Sequence, residues 1–536
     1  MKRHMSLLQQ QEPSPSINVV SPLPPEQEPS TKSGVSVYNI LLAGAGFLAD
    51  AYDLFVINVV VDIMDTISYK QALVTATKAN VKSMALVGAF FGQIFFGCLA
   101  DMIGRKKVFI ATCAMVIIGA IMSALVMDTE YWGIYSQLAL WRFVLGFGVG
   151  GEYPLSASIT SESSSSQERT KSLAMVFSMQ GFGTLLCSVV LVFATQCISN
   201  ANTQWRFALA MGALPMAIAF YFRWNMHTET WEQQSRRTLT ANRIQEVVMS
   251  DDMIDLMQNK NEVDINGNQN HGVFPTPTPV FERRPNSTEE PPKTWKEVPR
   301  WFFNIVYIER HKLLGTAGTW FILDVVFYAN GLFSGQVSKS IGGINTPKGE
   351  AISTLILTLM SLPGYLFTIY YCEKVGLKRI QEFGFFVVIV VFFLMAIFLK
   401  QFTQVPPLFI VLYGLTFFFQ NFGPNTTTYI IPSLIYIPEH KGTCHGISAA
   451  FGKLGAIFGA YIFAEMTDSF CSDHGCDDGD SEANVNKGLQ LSFGICCIIA
   501  VFGIIWSRKH VALSYWTASV EERQMMSISG CTNETS

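Results

Sequence analysis

The sequence predicts an all-α membrane protein with twelve transmembrane helices in two pseudo-symmetric six-helix halves. Composition is the first indication: of 536 residues, 49% are hydrophobic and only 15% are charged, whereas soluble domains carry roughly 25% charged residues. The second indication is a dozen apolar runs of about 20 residues, the length at which a helix crosses a bilayer. The third is a long polar stretch after the sixth run, which divides the chain into halves.

The elements follow from this pattern in chain order. The apolar runs lie near residues 37–62, 80–103, 107–127, 132–160, 170–196, 205–224, 312–338, 350–371, 379–399, 407–435, 443–465 and 488–506. The first residues are polar and lack the apolar segment of a signal peptide, and the central stretch is rich in Asn, Gln, Pro and charge. We therefore expect a disordered tail (1–36), a first half (37–224), a flexible linker (225–311), a second half (312–506) and a C-terminal tail (507–536).

Basic residues predict the orientation, because cytoplasmic loops carry an excess of lysine and arginine. If the runs alternate in direction, most basic residues between them fall on one side, namely Arg105, Lys106, Lys107, Arg169, Lys171, Lys374, Lys378, Arg379, Arg508 and Lys509. Lys70, Lys78 and Lys82 are exceptions on the opposite side, which also carries the acidic cluster from Asp473 to Glu482. We expect both termini and the linker to be cytoplasmic.

The two halves resemble each other at an offset of about 272 residues, the separation of Asp101 and Glu373 in matching loops. These loops run from Gly97 to Lys106 and from Glu373 to Arg379. The same offset relates Glu152 to Pro424, Gly181 (beside Gln180) to Lys453, and Asp50 to a position two residues from Asp324. One offset that aligns four unusual positions indicates a duplicated carrier with its site at the midplane between the halves.

The fourth run contains the most informative segment, which extends from Gly150 to Ala157. A carboxylate (Glu152), a phenol (Tyr153) and a proline (Pro154) stand side by side at membrane depth. Such groups are costly in lipid and persist mainly where they line a water-filled cavity or a substrate path. A soluble-type turn between two short helices is the alternative, but the apolar residues on both sides favour a membrane span.

Other runs carry acids at helical spacing. Asp50 and Asp53 are three residues apart and therefore share one helix face. Arg142 in the fourth run is their most plausible counter-charge. In the seventh run Trp320, Asp324 and Tyr328 recur every fourth residue and form one stripe. The alternative for this stripe is aromatic packing around a lone acid, but an unpaired acid in a membrane core is expensive.

The collection of donors suits a small, oxygen-rich anion. Gln180 and Asn425 can donate hydrogen bonds, as can the aromatic groups named above, and Lys453 adds positive charge. For Asn425 alone, a hydrogen bond between helices is an equal alternative. Asp324 would repel a fully deprotonated anion but could accept a hydrogen bond from phosphate, which retains a proton at neutral pH while sulfate does not. This difference is a physical route to phosphate selectivity.

At these residues the sequence resembles a known family. The pattern Gly97-x3-Asp101-x2-Gly104-Arg105-Lys106 is similar to the loop motif of the major facilitator superfamily. Residues 150–158, GGEYPLSAS, resemble the GGDYPLSA segment of the plant and fungal phosphate:proton symporters, and so do residues 50–55, 423–428 and 444–450. The resemblance covers nearly the whole chain apart from the tails and the linker.

The resemblance implies the major facilitator fold and a role for individual residues. It implies that phosphate is contacted by Tyr153, Gln180, Trp320, Asp324, Tyr328 and Asn425. It implies that proton coupling involves Asp50, Asp53, Arg142, Glu152 and Lys453. It also implies that Gly97, Asp101, Gly104, Arg105 and Lys106 form a conformational loop motif.

Three departures from the family pattern affect these expectations. Glu152 stands where the family usually has Asp, and the extra methylene would shift the carboxylate, in our expectation toward the substrate. Leu377 replaces the arginine of the second loop motif. Ser433-Leu434 and Lys441-Gly442 replace residues that usually supply a Glu and an Arg near the cytoplasmic end of span ten. The last two departures remove expected salt bridges of the inward gate.

The expected function is a proton-coupled inorganic phosphate importer that works by alternating access, in the plasma membrane. Three alternatives stay open: a glycerophosphodiester or other organic-anion transporter with a roomier pocket, a sodium-coupled phosphate carrier, and a non-transporting phosphate sensor. The expected partners are phosphate, protons and the lipid bilayer. The net charge of −4 argues against a general nucleic-acid binder. No nucleophile–base pair or metal-ligand cluster is recognisable, so we expect no enzyme activity, metal or cofactor. The sequence makes no prediction of the oligomeric state.

Overall fold

The computed structural model describes residues 37–67, 69, 75–164, 168–225, 296–332, 346–472 and 481–511, and every regular element in them is a helix. The helices are α1 (Val37–Asp65), α2 (Thr75–Ile103), α3 (Arg105–Leu125), α4 (Ile134–Ser163), α5 (Arg169–Cys197), α6 (Ala201–Met211), α7 (Ala213–Trp224), α8 (Val298–Ile308), α9 (Arg310–Leu332), α10 (Pro347–Val375), α11 (Leu377–Thr403), α12 (Pro406–Asn421), α13 (Pro424–Ile435), α14 (Lys441–Ser472) and α15 (Ser481–Trp506). A π-helical turn, Ser507–Val511, follows. The all-α prediction is confirmed; the N-terminal tail and most of the linker lie outside the described residues.

Two of the predicted spans are built from a pair of helices. Span six consists of α6 and α7, which meet at Gly212, and span ten consists of α12 and α13, which meet at Gly423. Gly423 has φ −142° and ψ −118°, and the following Pro424 has no N–H with which to continue the helix. In contrast, α4 is continuous through Pro154, so the segment around Glu152 is a membrane helix and not a turn.

Helix α8 lies in the stretch that the sequence predicted as a linker without periodic structure. It begins with a proline in its first turn, where a missing N–H has no helical partner to lose. Trp301 and Ile305 are buried, whereas Phe303 and Tyr307 are exposed. The helix contacts α9 and α14, so the linker ends in an ordered element that packs on the bundle.

Local sequence explains where other helices begin. The side chain of Asn200 accepts hydrogen bonds from the backbone N–H groups of Asn202 (2.9 Å) and Thr203 (3.3 Å) and thereby caps α6. Thr346 caps α10 by accepting from the N–H of Gly349 at 3.2 Å. Pro347 occupies the first position of that helix, which proline favours.

Nine helical segments in the described residues are long and apolar enough to cross a membrane. They correspond to spans one, two, three, five, six, seven, eight, nine and twelve. The remaining three spans lie alongside them: α4 packs against α2 and α3, the α12–α13 pair against α10 and α11, and α14 against α2 and α9. Neither α12, with 16 residues, nor α13, with 12, reaches the length of a span alone. The chain is a multi-pass membrane protein.

The predicted repeat is visible in the backbone. Gly104 has φ +94° and Gly376 has φ +90°, and these are the glycines with positive φ in the described part of the chain. Both stand between a helix that ends and a helix that begins, and a side chain would be strained in this conformation. They occupy matching positions of the two loops, so both halves contain the same turn.

The two halves contact each other most extensively along two pairs of helices, α2 with α14 and α5 with α10. The pseudo-symmetry between the halves relates these two pairs to each other. Span two (α2) corresponds to span eight (α10), and span five (α5) corresponds to span eleven (α14). Glycines allow the α2–α14 approach: a Cβ added to Gly97 or Gly446 would lie within 3.0 Å of a backbone oxygen of the other helix. The candidate site lies between these contacts.

Candidate functional site

Five predicted residues from both halves form one group, which we call the lysine cluster (Asp50, Tyr153, Asp324, Tyr328 and Lys453); four are buried and Tyr328 is half-buried. Lys453 Nζ donates to the Tyr328 hydroxyl at 2.9 Å and to the Tyr153 hydroxyl at 3.4 Å, and it lies 4.0 Å from Asp324 Oδ2. The Tyr153 hydroxyl in turn donates to Asp50 Oδ2 at 2.6 Å. A single ammonium group therefore connects α4 of the first half with α9 and α14 of the second.

A second group, the amide cluster (Gln180, Tyr365, Asn421 and Asn425), also joins the halves. The Tyr365 hydroxyl donates to Gln180 Oε1 at 3.1 Å, and Asn425 Nδ2 donates to Asn421 Oδ1 at 2.8 Å. Asn425 Nδ2 also contacts the Tyr365 hydroxyl at 3.1 Å and Gln180 Oε1 at 3.4 Å. Asn425 thus makes the hydrogen bonds between helices that the sequence left as its alternative role. It remains part of a polar group in the same interface.

Two members of the amide cluster were missed from the sequence. Asn421 lies four residues before Asn425, a spacing that would have placed both on one helix face had the break at Gly423 not intervened. Tyr365 was missed because no charged or amide side chain lies beside it in the sequence to mark the segment. Only the packing of α5 against α10 brings its hydroxyl to Gln180.

An aromatic layer lies between these clusters and the end of the bundle that carries Gly97 to Lys106, which we call the loop-motif end. Phe47 packs edge-on against Tyr153 with ring centroids 4.7 Å apart and against Tyr429 at 5.0 Å. Phe177 stacks on Tyr429 at 4.9 Å. The layer places side chains of α1, α4, α5 and α13 together, so it closes the interface on the loop-motif side of the clusters.

Trp320 joins the lysine cluster through ring contacts and makes no side-chain hydrogen bond within the described residues. Its indole lies 6.0 Å from the Tyr153 ring and 5.7 Å from the His445 ring. Gly452 makes room for it, since a Cβ there would lie within 3.0 Å of the indole. Trp320, Asp324 and Tyr328 therefore share one face of α9 toward the other half, as their spacing predicted.

Arg142, which the sequence predicted as the counter-charge of Asp50 and Asp53, hydrogen-bonds only to the backbone of Asp53 among the described residues. Arg142 Nη2 donates to the main-chain carbonyl of Asp53. Both carboxylate oxygens of Asp53 make no hydrogen bond within the described residues, and one of them faces Gly212 at the break between α6 and α7. Both side chains are buried. The pair lies within the first half and does not join the lysine cluster.

Glu152 points away from the lysine cluster, although it is the neighbour of Tyr153. Its carboxylate accepts from Arg223 Nη1 at 2.9 Å and from Arg223 Nη2 at 2.8 Å, and Thr112 Oγ1 adds a third hydrogen bond at 2.8 Å. The Arg223 guanidinium lies 3.2 Å from the centroid of the Phe109 ring. Successive residues of a helix differ by about 100° in direction, so Glu152 and Tyr153 face different neighbours. Arg223 was missed because it stands at the end of an apolar span among aromatic residues.

The loop motif contacts the opposite half at the beginning of α14. Asp101 accepts from the backbone N–H groups of Gly442 (3.2 Å) and Thr443 (2.7 Å) and from the Thr443 hydroxyl (2.8 Å). Arg105 pairs with Glu162 at 2.8 Å and donates to the Pro438 carbonyl at 3.0 Å. Gly97 allows the approach and Gly104 makes the turn, while Lys106 lies in the first turn of α3.

Lys441, which departs from the family pattern, contributes a further contact at this end. Its ammonium donates to the Ser161 hydroxyl at 2.9 Å, from the second half to the first. Together with Asp101 and Arg105 it closes the loop-motif end in this structure. The departure at position 441 therefore supplies a contact between the halves in place of the expected one.

Two cavities lie on the other side of the clusters. The larger, of about 70 Å³, is lined by Asn58, Thr358, Ser361, Tyr365 and Asn421 among others, and so reaches the amide cluster. The smaller, of about 30 Å³, is lined by Asn58, Lys82 and Tyr328 among others, and so reaches the lysine cluster. Phe55, Asn58 and Gly331 line both. Within the described residues, no group of three or more His, Cys, Asp or Glu side chains is placed to hold a metal ion.

This chain is similar to known proteins over most of its length and most of theirs. Residues 39–512 match the family described as sugar (and other) transporter. Inorganic phosphate transporter 1-1 of Arabidopsis thaliana is 33% identical over 87% of this chain and 89% of its own length, and low affinity inorganic phosphate transporter 1 of Petunia hybrida is 34% identical over 82% and 85%. The solved proton:xylose symporter XylE, bound to 6-bromo-6-deoxy-D-glucose, superposes with a TM-score of 0.65 at 18% identity, over 88% of this chain and 95% of XylE. That likeness concerns the fold alone.

Proposed function

We propose that this chain, which belongs to the sugar (and other) transporter family, imports inorganic phosphate together with protons by alternating access. The observation that carries this proposal is Lys453, a buried ammonium held by Tyr153 and Tyr328 and 4.0 Å from Asp324 at the junction of the halves. Ionisable groups at membrane depth are expensive and mark substrate or ion paths. The names of the plant relatives support phosphate as the substrate.

Phosphate fits the chemistry of the lysine cluster. The ammonium and the two phenols supply charge and hydrogen bonds for an oxyanion. Trp320 and the amide donors of Gln180 and Asn425 complete the proposed contacts. Asp324 accepts a hydrogen bond from the proton that phosphate retains, and it repels sulfate, which has none to give. The acid thus rejects the competing anion while accepting the substrate.

Protons must accompany the anion because the membrane potential opposes it. One proton per dihydrogen phosphate makes the transfer electroneutral, so that only the pH difference drives it, whereas more than one proton lets the inside-negative potential drive uptake as well. Asp50 Oδ1 and both carboxylate oxygens of Asp53 make no hydrogen bond within the described part of the chain. We assign proton transfer to these two acids, with Arg142 and Lys453 as the charges that respond to it.

We propose a different role for Glu152. Three donors already occupy its carboxylate, two of them from Arg223. Removing either partner of this buried ion pair leaves the other charge uncompensated. The pair therefore holds α4 against α3 and α7, so that Tyr153, the neighbour of Glu152, is fixed toward Lys453.

The loop-motif end is assigned to the cytoplasm, in the plasma membrane, with both termini on the same side. The positive charge around Arg105 supports this orientation. In the present structure the cavities lie on the far side of the clusters, and the contacts of Asp101, Arg105 and Lys441 close the near side. The conformation corresponds to a carrier whose cytoplasmic gate is shut.

Uptake of radiolabelled phosphate into proteoliposomes tests the proposal. We expect accumulation that requires an inward proton gradient, collapses with a protonophore, continues without sodium and resists excess sulfate. Accumulation unaffected by the protonophore would exclude proton coupling, and a strict need for sodium would favour a sodium couple. Competition by glycerophosphodiesters would favour the organic-anion transporter, and binding without any uptake would favour the sensor.

A further inference from the structure

We propose that Lys82 and Asn58 form an anion-capture site that phosphate occupies before it reaches Lys453. The inference rests on the proposed function, because it names the step by which the substrate approaches the lysine cluster. It starts from the smaller of the two cavities, which is enclosed by α1, α2, α9 and α14 and lined by Asn58, Lys82 and Tyr328. None of the site assignments made above includes Lys82 or Asn58.

Lys82 differs from its neighbour Lys78 in having no partner among the residues that the structure describes. One turn earlier in α2, Lys78 pairs with Asp65 at 2.8 Å. Lys82 is half-buried, and the structure gives it no hydrogen bond or ion pair within the described residues. An ammonium on a membrane-spanning helix that faces an interhelical cavity is unfavourable unless it meets an anion there. The sequence had already marked this lysine as an exception to the charge distribution.

Asn58 is the second unpartnered donor of the same cavity. It lies eight residues beyond Asp50 on α1, which is roughly 12 Å farther from the loop-motif end. Its side chain is half-buried and makes no hydrogen bond within the described residues. Asn58 also lines the larger cavity, which reaches Tyr365 and Asn421. Asn58 therefore lines both the cavity that reaches the lysine cluster and the cavity that reaches the amide cluster.

Tyr328 connects the proposed site to the lysine cluster. It lines the cavity with Lys82, and its hydroxyl accepts a hydrogen bond from Lys453 at 2.9 Å. One phenol thus belongs both to the cavity of Lys82 and to the hydrogen bonds of Lys453. In the proposed path an oxyanion that leaves Lys82 meets this phenol before it reaches Lys453.

The ligand is a small tetrahedral oxyanion. The cavity of about 30 Å³ has room for roughly two water molecules, which disfavours a bulky organic ester more strongly than an oxyanion of five heavy atoms. A positive charge at the mouth of a low-dielectric cleft raises the local anion concentration and accelerates association. It acts on capture and not on the equilibrium affinity of the inner site, and salt screens it.

The test compares four proteins in neutral-lipid proteoliposomes: wild type, Lys82→Gln, Lys82→Arg and, as a matched control on the same helix, Lys78→Gln. Initial phosphate uptake is measured against phosphate concentration at low and high ionic strength, and equilibrium phosphate binding is measured on the purified proteins. We expect Lys82→Gln to raise KM about fivefold at low salt with kcat unchanged, because steering is lost. Lys82→Arg and Lys78→Gln should stay within about twofold of wild type.

Each other outcome overturns the proposal in a distinguishable way. If wild type takes up no phosphate, the proposed function fails and the capture site with it. If wild type transports and Lys82→Gln keeps its KM, the capture site alone fails. A parallel rise of the equilibrium dissociation constant would make Lys82 part of the inner site. A KM effect that appears only when anionic lipid is added would assign Lys82 to a lipid headgroup. Monodisperse, wild-type-like elution of Lys82→Gln establishes that the variant is folded.

Discussion

The buried acids of this protein differ in how many of their oxygen atoms are already hydrogen-bonded. Glu152 uses both oxygens, Asp50 uses one, and Asp53 uses neither; Asp324 Oδ2 also makes no hydrogen bond within the described residues. An acid with unused lone pairs can accept a proton or a ligand, whereas a saturated one serves packing and orientation. This difference between single residues is the basis of the roles proposed above: phosphate recognition for Asp324, proton coupling for Asp50 and Asp53, and a structural role for Glu152.

Asp324→Asn tests recognition. Removing a hydrogen bond to a charged group costs about 1.5–3 kcal/mol, so phosphate affinity should fall by more than about tenfold. Asp324→Glu keeps the charge but moves it and should be impaired too. Asp50→Asn is the matched control, since it should largely retain binding while proton-driven accumulation is lost. Phosphate binding to the purified proteins decides: near wild-type affinity in Asp324→Asn would make this residue a structural acid.

Glu152→Gln tests the scaffold role. It leaves Arg223 buried without its counter-charge, which costs about 3–5 kcal/mol of stability. We expect a clear drop in the unfolding temperature, and we expect Arg223→Met combined with Glu152→Leu to recover part of it. The pH profile of residual uptake should keep its shape, whereas Asp50→Asn should alter it. A shifted profile in Glu152→Gln with normal thermal stability would return this acid to proton coupling.

At the scale of elements, the first turn of α14 is capped by the opposite half of the protein. The initial N–H groups of a helix have no partner within it and carry partial positive charge. Asp101 on α2 satisfies the N–H groups of Gly442 and Thr443. The cap exists only while the loop-motif end is closed, so it stabilises the closed state specifically.

Asp101→Ala should therefore favour opening of the loop-motif end. Loss of hydrogen bonds worth about 1.5–3 kcal/mol shifts a two-state equilibrium by roughly tenfold or more. Cys444, buried at the start of α14, is a natural reporter. We expect its alkylation, followed by peptide mass spectrometry, to accelerate by about that factor. Glu382→Gln, which disrupts a pair with Arg508 away from the halves' contact, is the control; equal rates in all proteins would contradict the cap.

At the scale of the whole molecule, α2 of the first half and α14 of the second approach each other most closely at glycines. Gly446 on α14 faces the main-chain oxygen of Gln93 on α2. Tightly packed interfaces have discrete arrangements and do not deform continuously. A methyl group at this position forces the halves apart in the closed state but leaves the open state untouched.

Gly446→Ala should reduce uptake by about fivefold or more through loss of the closed state, since a ligand can use only the populated conformation. Gly494→Ala is matched to it, because both glycines lie in helices of the same half. The nearest atom to an added Cβ at Gly494 is the Cβ of Ala396 at 4.0 Å. We expect this control to transport normally. Equal uptake by the two variants would show that the α2–α14 contact does not limit the cycle.

Much of the site could be predicted because charged and polar side chains are rare in apolar spans. Asp50, Tyr153, Asp324, Tyr328 and Lys453 were each recognisable for that reason, and the structure brings them together. Some partners could not be recognised. Tyr365 has no charged or amide side chain beside it in the sequence that would mark its segment. Arg223 stands at a helix end, where arginine is common, and only packing shows that it faces Glu152.

The apolar spans and the repeat of the two loops could be predicted from the sequence alone, because span length depends on local composition and a repeat depends on matching residues. Which polar groups meet follows instead from the packing of the helices. Direction around a helix separates Glu152 from Tyr153, and the approach of α2 to α14 supplies Asp101 with its partners. The packing also places Lys82 at a cavity, whereas Lys78 pairs with Asp65. Pairing across helices depends on how they pack in three dimensions, and that information is spread over every residue at their contacts.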